Sequence, residues 1–218
     1  MFIKVNGIDL FYEQTGQGNP IILLHGNGES HVIFDVLMNQ LKDQYTVYAI
    51  DSRDHGQSSK VNQLGYISMM KDVATFIQQL NIQKPILYGF SDGGIIGLLL
   101  AIHYPHLLSK LIISGANLTP LGVKLKFNLE TVYAYLCTKD KKIKMMLTQP
   151  NIKAKQLKKI SIPTLVLAGS EDLISKNHTK KIAKHIPNST LKIVKGEDHG
   201  SYIIHSDKLY PIIAPFLR

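Results

Sequence analysis

Ser91 stands in Gly89-Phe90-Ser91-Asp92-Gly93, a G-x-S-x-G spacing between an apolar run, "KPILYGF", and a helix-like one, "DGGIIGLLLAIHY". Glycines two positions to either side let a strand and a helix close in on each other, which leaves the serine on a sharp turn with its hydroxyl pushed outward. Such a turn is strained and persists where something uses the hydroxyl. The plainer alternative is a serine N-cap with packing glycines. A serine hydroxyl is a weak nucleophile, so acyl transfer needs a base, an acid to orient the base, and donors for the oxyanion formed on attack. Two late stretches offer the base and the acid. "PTLVLAGSEDLIS" ends a strand at Gly169 and presents Glu171 and Asp172, while "TLKIVKGEDHGSYI" ends one near Lys195 or Gly196 and presents His199 before the final helix. The order Ser91, Asp172, His199 is the one expected of this chemistry at a strand-to-helix elbow. Asp172 has the better reach, Glu171 stays open as an alternative, and Asp198 ranks third because its adjacency to the histidine makes a bond to the ring awkward. Among nine histidines, His25 and His55 also lie near strand ends, but His199 alone has the required late position.

The elements that must hold these residues follow from hydrophobic patterning. After an opening hairpin, "PIILLHG", "YTVYAID", "KPILYGF", "KLIISGA", "PTLVLAG" and "TLKIVKG" are short apolar runs that predict strands buried on both faces. Between them, "ESHVIFDVLMNQLKD", "YISMMKDVATFIQQLN", "DGGIIGLLLAIHYP" and "SKNHTKKIAKHIP" carry apolar residues three and four apart and predict crossover helices. The fold class is therefore α/β, a mostly parallel sheet of about eight strands with an antiparallel N-terminal hairpin and helices on both faces. The rhythm breaks over residues 118–160, where two or three basic amphipathic helices form an insertion over one end of the sheet. Residues 1–117 and 161–218 make the core domain.

Composition bounds the setting. A chain of 218 residues with 44% hydrophobic content fits one sizeable core. No run approaches the roughly 18 apolar residues of a membrane span, and no secretory leader precedes the hairpin, so the expectation is a cytoplasmic protein without stable membrane insertion. The single cysteine, Cys137, has no partner at disulfide or metal-ligand spacing and lies on a predicted helix face. The formal charge is +9, of which residues 118–160 hold a net +8 through ten lysines against Glu130 and Asp140. Only Arg53 and Arg218 are arginines, which argues against a nucleic-acid reader, since those favour arginine forks. A solvated lysine-rich face is the plain reading; a positive rim drawing an acidic substrate or a membrane surface is the sharper one.

With these motifs in view, the chain resembles a small member of the α/β-hydrolase superfamily from end to end apart from residues 118–160. The resemblance rests on "HGNG" at 25–28, "DSRDHGQSS" at 51–59, "GFSDGG" at 89–94, and the pair "GSEDLI" and "GEDHGS". It implies that the backbone N–H groups of Asn27 and Asp92 form the oxyanion hole, that Arg53 and Gly56 are structural braces, and that residues 118–160 are a short helical lid. A carboxylesterase-like serine hydrolase acting on a small ester follows, with no metal and no organic cofactor. Thioester hydrolysis, carbon–carbon bond hydrolysis and cofactor-free perhydrolysis use similar constellations. A serine at the elbow separates the chain from the dehalogenase and epoxide-hydrolase branches, which use aspartate there. Two readings compete. "LLHGNGESH" with Gly26, Gly28 and the later Asp51 partly matches a dinucleotide fingerprint, but it lacks the third glycine and leaves Ser91 unexplained. A non-catalytic receptor on the same fold would commonly lack one of the chemical groups, and here all are present.

Overall fold

The computed structural model describes residues 1–218. Eight strands form one sheet: β1 (Phe2–Val5), β2 (Ile8–Thr15), β3 (Asn19–Leu24), β4 (Tyr45–Ile50), β5 (Ile86–Phe90), β6 (Lys110–Ser114), β7 (Thr164–Gly169) and β8 (Ser189–Val194). Their spatial order is β1-β2-β4-β3-β5-β6-β7-β8. The β1–β2 and β2–β4 pairings are antiparallel, and the five pairings from β4–β3 to β7–β8 are parallel. The α/β expectation, hairpin included, holds. Every residue of β5 and β7 is buried, as continuous Ile/Leu/Val runs require when helices cover both faces.

The helices are α1 (Asp35–Leu41), α2 (Tyr66–Gln79), α3 (Asp92–His103), α4 (Leu125–Thr138), α5 (Lys141–Thr148), α6 (Lys176–His185) and α7 (Leu209–Leu217). Two hydrophobic cores flank the sheet. The larger gathers α2, α3 and α6 side chains such as Phe76, Leu98 and Ile182; the smaller gathers α1 and α7 through Leu37, Leu41 and Ile213. This division follows from right-handed crossovers: β3 to β4 runs one way along the sheet, while β4 to β5 and β5 to β6 run the other, so their helices land on opposite faces. Strand order thus reverses between β3 and β5, and a crevice opens beyond their carboxyl ends, where open α/β sheets bind ligands.

Three expectations need adjustment. β8 has no fully buried residue, because it is the sheet's edge strand and lacks a neighbour on one side. The first crossover helix is shorter than its pattern, with a 3₁₀ turn over His31–Phe34 before α1. His199 does not directly precede the last helix; a turn-rich stretch separates it from α7. Residues 118–160 do form two α-helices, with 3₁₀ turns at Pro120–Gly122 and Ala154–Lys159. α5 is anchored: Asp140 caps it by accepting the Lys142 N–H at 2.6 Å, and Lys141 and Lys142 reach buried Asp54 at 2.8 and 3.4 Å. By contrast, α4 buries none of its residues.

Candidate active site

Ser91 sits where β5 becomes α3, at φ 52° and ψ −111°. Positive φ costs a non-glycine residue about 1–3 kcal/mol, so the surroundings must enforce it. They do so through backbone bonds: Ser91 N–H donates to Ser114 O at 2.8 Å, and Gly93 N–H donates to His25 O at 3.0 Å. The flanking glycines are obligatory for the same reason. A Cβ on Gly89 would fall 2.2 Å from Gly93 O, and one on Gly93 would fall 2.1 Å from Leu24 O.

His199 arrives from the loop that follows β8. His199 Nε2 lies 3.0 Å from Ser91 Oγ, and Nδ1 lies 2.7 Å from Asp172 Oδ1. A carboxylate facing Nδ1 places the ring proton there and leaves the Nε2 lone pair to accept from the serine hydroxyl. Asp172 is 2% exposed, and its Oδ1 also accepts the Ile174 N–H at 2.8 Å, which fixes the carboxylate as it leaves β7. Glu171 is exposed, and Asp198 turns back to accept the Gly200 and Ser201 N–H groups at 2.9 and 2.8 Å. Of the three acids weighed from sequence, Asp172 is thus the one beside the imidazole. The ring packs on Phe90, centroids 4.9 Å apart, and against Gly115, where a Cβ would lie 2.6 Å from His199 Cε1. Gly115, at φ +63°, was not legible as a site residue; its only sequence signal is a glycine directly after a strand end.

Asn27 and Asp92 close the serine side. Neither backbone N–H has a protein acceptor: Asn27 lies in the loop after β3, and Asp92 opens α3, where no carbonyl one turn earlier is available. Asp92's carboxylate is buried and accepts from Tyr66 OH at 2.7 Å and from Asn27 Nδ2 at 2.9 Å, tying the two loops together. Burial pushes the Asp92 pKa up, opposed by those two hydrogen bonds and by His55 and His199.

These groups face one cavity of about 260 Å³, lined on the sheet side by Gly26, Asn27, Glu29, Phe90, Ser91 and His199. Val123, Phe127, Asn128, Thr131 and Met146 from the 118–160 segment form much of the opposite wall. None of the ten lysines of that segment lines it. Its one carboxylate is Glu29, which sequence reasoning missed; an oxygen of Glu29 accepts the Gly26 N–H at 2.8 Å, and burial raises its pKa. Nothing in the local pattern distinguishes it from a solvated loop acid.

The loops beneath are braced by polar groups. Asp51 is fully buried; its Oδ1 accepts from the His31 N–H at 2.7 Å and faces His31 Nδ1 at 2.8 Å, while Oδ2 accepts from the Gln57 N–H at 2.8 Å. A ribose has no access to it, and α1 begins seven residues after Gly28, so the dinucleotide reading fails on geometry. Arg53 binds the Asp72 carboxylate through Nε and Nη2, a brace as expected. No group of three or more His, Cys, Asp or Glu side chains is arranged to hold a metal ion, and no helix is long and apolar enough to cross a membrane.

Comparison with known proteins agrees with this fold. Human serine hydrolase BPHL is 28% identical over 250 residues, covering 99% of this chain and 85% of its own. An esterase from Exiguobacterium antarcticum superposes with a TM-score of 0.86 at 22% identity, covering 99% of this chain and 97% of its own. A meta-cleavage product hydrolase from Pseudomonas fluorescens IP01 gives a TM-score of 0.83 at 18% identity over 100% and 97%. At these identities the two structures speak for the fold alone. The model of the alpha/beta hydrolase fold family matches residues 19–136, more than half of the chain, and the protein belongs to that family.

Proposed function

We propose that the protein is a serine hydrolase that cleaves a small carboxylic ester through an acyl-enzyme on Ser91. The observation that carries this reading is the continuous hydrogen-bonded series from Ser91 Oγ through His199 to buried Asp172. Ser91 Oγ attacks the ester carbonyl carbon as its proton passes to His199 Nε2, and Asp172 stabilises the imidazolium so formed. The N–H groups of Asn27 and Asp92 receive the oxyanion, each such donor being worth about 3–4 kcal/mol of transition-state stabilisation. Collapse expels the alcohol, which takes the proton from His199. Water then gives a proton to the same nitrogen as it attacks the acyl carbon; the bond to Ser91 Oγ breaks, Oγ recovers the proton from His199, and the acid leaves.

The volume of about 260 Å³ suits a small acyl group, since pockets for drug-sized ligands begin at about 300 Å³. Residues 118–160 act as a short lid over a core of residues 1–117 and 161–218, because Phe127, Thr131 and Met146 wall the cavity. With Glu29 inside and no lysine, the cavity favours neutral or cationic esters over anionic ones. The name of one sequence relative, a serine hydrolase, supports the reaction class. The setting we infer is cytoplasmic, where the exposed, unpaired Cys137 stays reduced.

The test is a fluorophosphonate probe followed by intact mass, in parallel with hydrolysis of short p-nitrophenyl esters. The parent protein takes one adduct, the Ser91→Ala variant takes none, and the variant's ester hydrolysis falls by at least about a thousandfold. Equal labelling of both, or no labelling of a folded parent, overturns the proposal.

A further inference from the structure

Helix α4 is apolar on two opposite sides. One side supplies Phe127 and Thr131 to the cavity wall. The other carries Leu125, Leu129, Val132, Tyr133 and Leu136, at spacings of four, three, one and three residues that place them on a single face. That face covers nothing: these side chains are between 41% and 73% exposed, and Leu121 just ahead of the helix is 90% exposed. Seven of the twelve large hydrophobic side chains that the fold leaves exposed fall within residues 121–136. A concentration of this kind on one element marks an interaction site, whereas scattered exposed leucines do not.

Charge decides the occupant. Lys124 and Lys139 sit at the two ends of the helix and Lys126 borders the apolar face, with Glu130 the one acid on the helix. Lys141 and Lys142 turn inward to Asp54, whereas Lys124, Lys126 and Lys139 are exposed. A second copy docked on this face would bring two segments of net charge +8 together. A surface of anionic headgroups gains from every one of these lysines. At 14 residues the helix is about 21 Å long, too short to span a bilayer but suited to lie in its interface plane.

We propose that α4 docks the protein on an anionic lipid surface, with Leu121, Leu125, Leu129, Tyr133 and Leu136 at the acyl boundary and Lys124, Lys126 and Lys139 on headgroup phosphates. Because the same helix walls the cavity, docking holds the cavity about one helix diameter from the lipid. If the proposed hydrolysis is granted, an uncharged ester dissolved in that surface is the substrate class this placement serves.

The test uses the full-length Ser91→Ala protein, so that docking is read without turnover and stands or falls independently of the hydrolase reading. Sedimentation is measured with vesicles of phosphatidylcholine alone and of phosphatidylcholine with about one-third phosphatidylglycerol. Binding to the mixed vesicles is expected, falling with added salt. It is expected to weaken at least about tenfold when Leu125, Leu129 and Leu136 are all changed to serine, and likewise for Lys124→Glu with Lys126→Glu. Circular dichroism and thermal midpoints establish that these surface variants are folded. Absence of binding by the parent, equal binding to both vesicle types, or variants that bind as the parent does would overturn the proposal. So would a parent dimer that the serine variant converts to monomer, which would assign the face to a second copy.

Discussion

Glu29 shares the cavity with Ser91 and His199, and under the proposed reaction its charge state bears on which substrates enter. Burial raises its pKa, while the Gly26 N–H and His199 pull it down and Asp92 adds to the rise. A raised carboxyl pKa means that the group is ionised only above that value, so the cavity grows more negative as pH rises. Esters carrying an ammonium group should therefore gain over neutral isosteres as the pH rises through the ionisation of Glu29, which lies above the ordinary carboxylate value, provided that the ammonium stays charged. Glu29→Gln is expected to cost the ammonium ester about tenfold in kcat/KM, leave the neutral ester within about threefold, and flatten the pH trend in their ratio. Paired kinetics on the two esters would reveal it, and an unchanged ratio would remove Glu29 from specificity. The meeting of Ser91, Asp172 and His199 was legible in the sequence because each follows a strand end at a recognisable spacing. Glu29 had no such mark: its importance comes from a loop that folds its side chain back on Gly26, and loop paths are not periodic.

At the scale of elements, strand ends deliver the chemistry and glycines set how closely they approach. Gly93 and Gly115 separate two consequences of adding a methyl group. At Gly93 the clash is with backbone, Leu24 O at 2.1 Å, and β3 and α3 must part to relieve it. Gly93→Ala should lose at least about 3 kcal/mol of stability, read as the urea midpoint, and lose activity with it. At Gly115 the nearest atoms belong to the His199 ring at 2.6 and 2.8 Å, and φ is +63°. Gly115→Ala should fold with a cost of about 1–2 kcal/mol yet lower kcat about a hundredfold, because the imidazole is pushed off Ser91 Oγ while KM changes little. Equal kcat in a folded Gly115→Ala protein would show that the ring has room to spare. The strands were legible because burial on both faces writes an unbroken apolar run, as in "ILYGF" and "TLVLAG". β8 reads much like them and is nonetheless an edge, since a strand's own residues do not record whether a neighbour lies on each side. For α4 the pattern likewise announced an apolar face without stating what covers it.

Across the whole molecule, the loops that hold the cavity rest on buried histidines that must stay neutral. His25 Nδ1–H donates to Gly26 O at 2.7 Å, and Nε2 accepts the Ser52 N–H at 3.0 Å. A second ring proton would point at that N–H, and burial, with His55 nearby, depresses the His25 pKa to about 4, against the opposing pull of the Gly26 bond and Asp51. His55 is shifted in the same direction, chiefly by burial. In the unfolded chain these rings titrate near the ordinary value of about 6.5. Above that pH neither state binds the proton and the full stability is present. As pH falls from about 6.5 to about 4 the unfolded chain takes up the proton first, so His25 withdraws about 3 kcal/mol of stability across this window. Asp92 and Glu29, raised by burial, act with the opposite sign, because the folded state protonates them first; they offset part of the loss at the acid end. Urea unfolding at pH 7.5 and 5.0 measures the balance. His25→Gln keeps an acceptor for Ser52 but cannot titrate, so it should be less stable than the parent at pH 7.5 and lose less on acidification. Parallel losses in the two proteins would place the acid sensitivity elsewhere, whereas convergence would tie the pH range of the folded enzyme to the same residue whose carbonyl holds Gly93 beside Ser91.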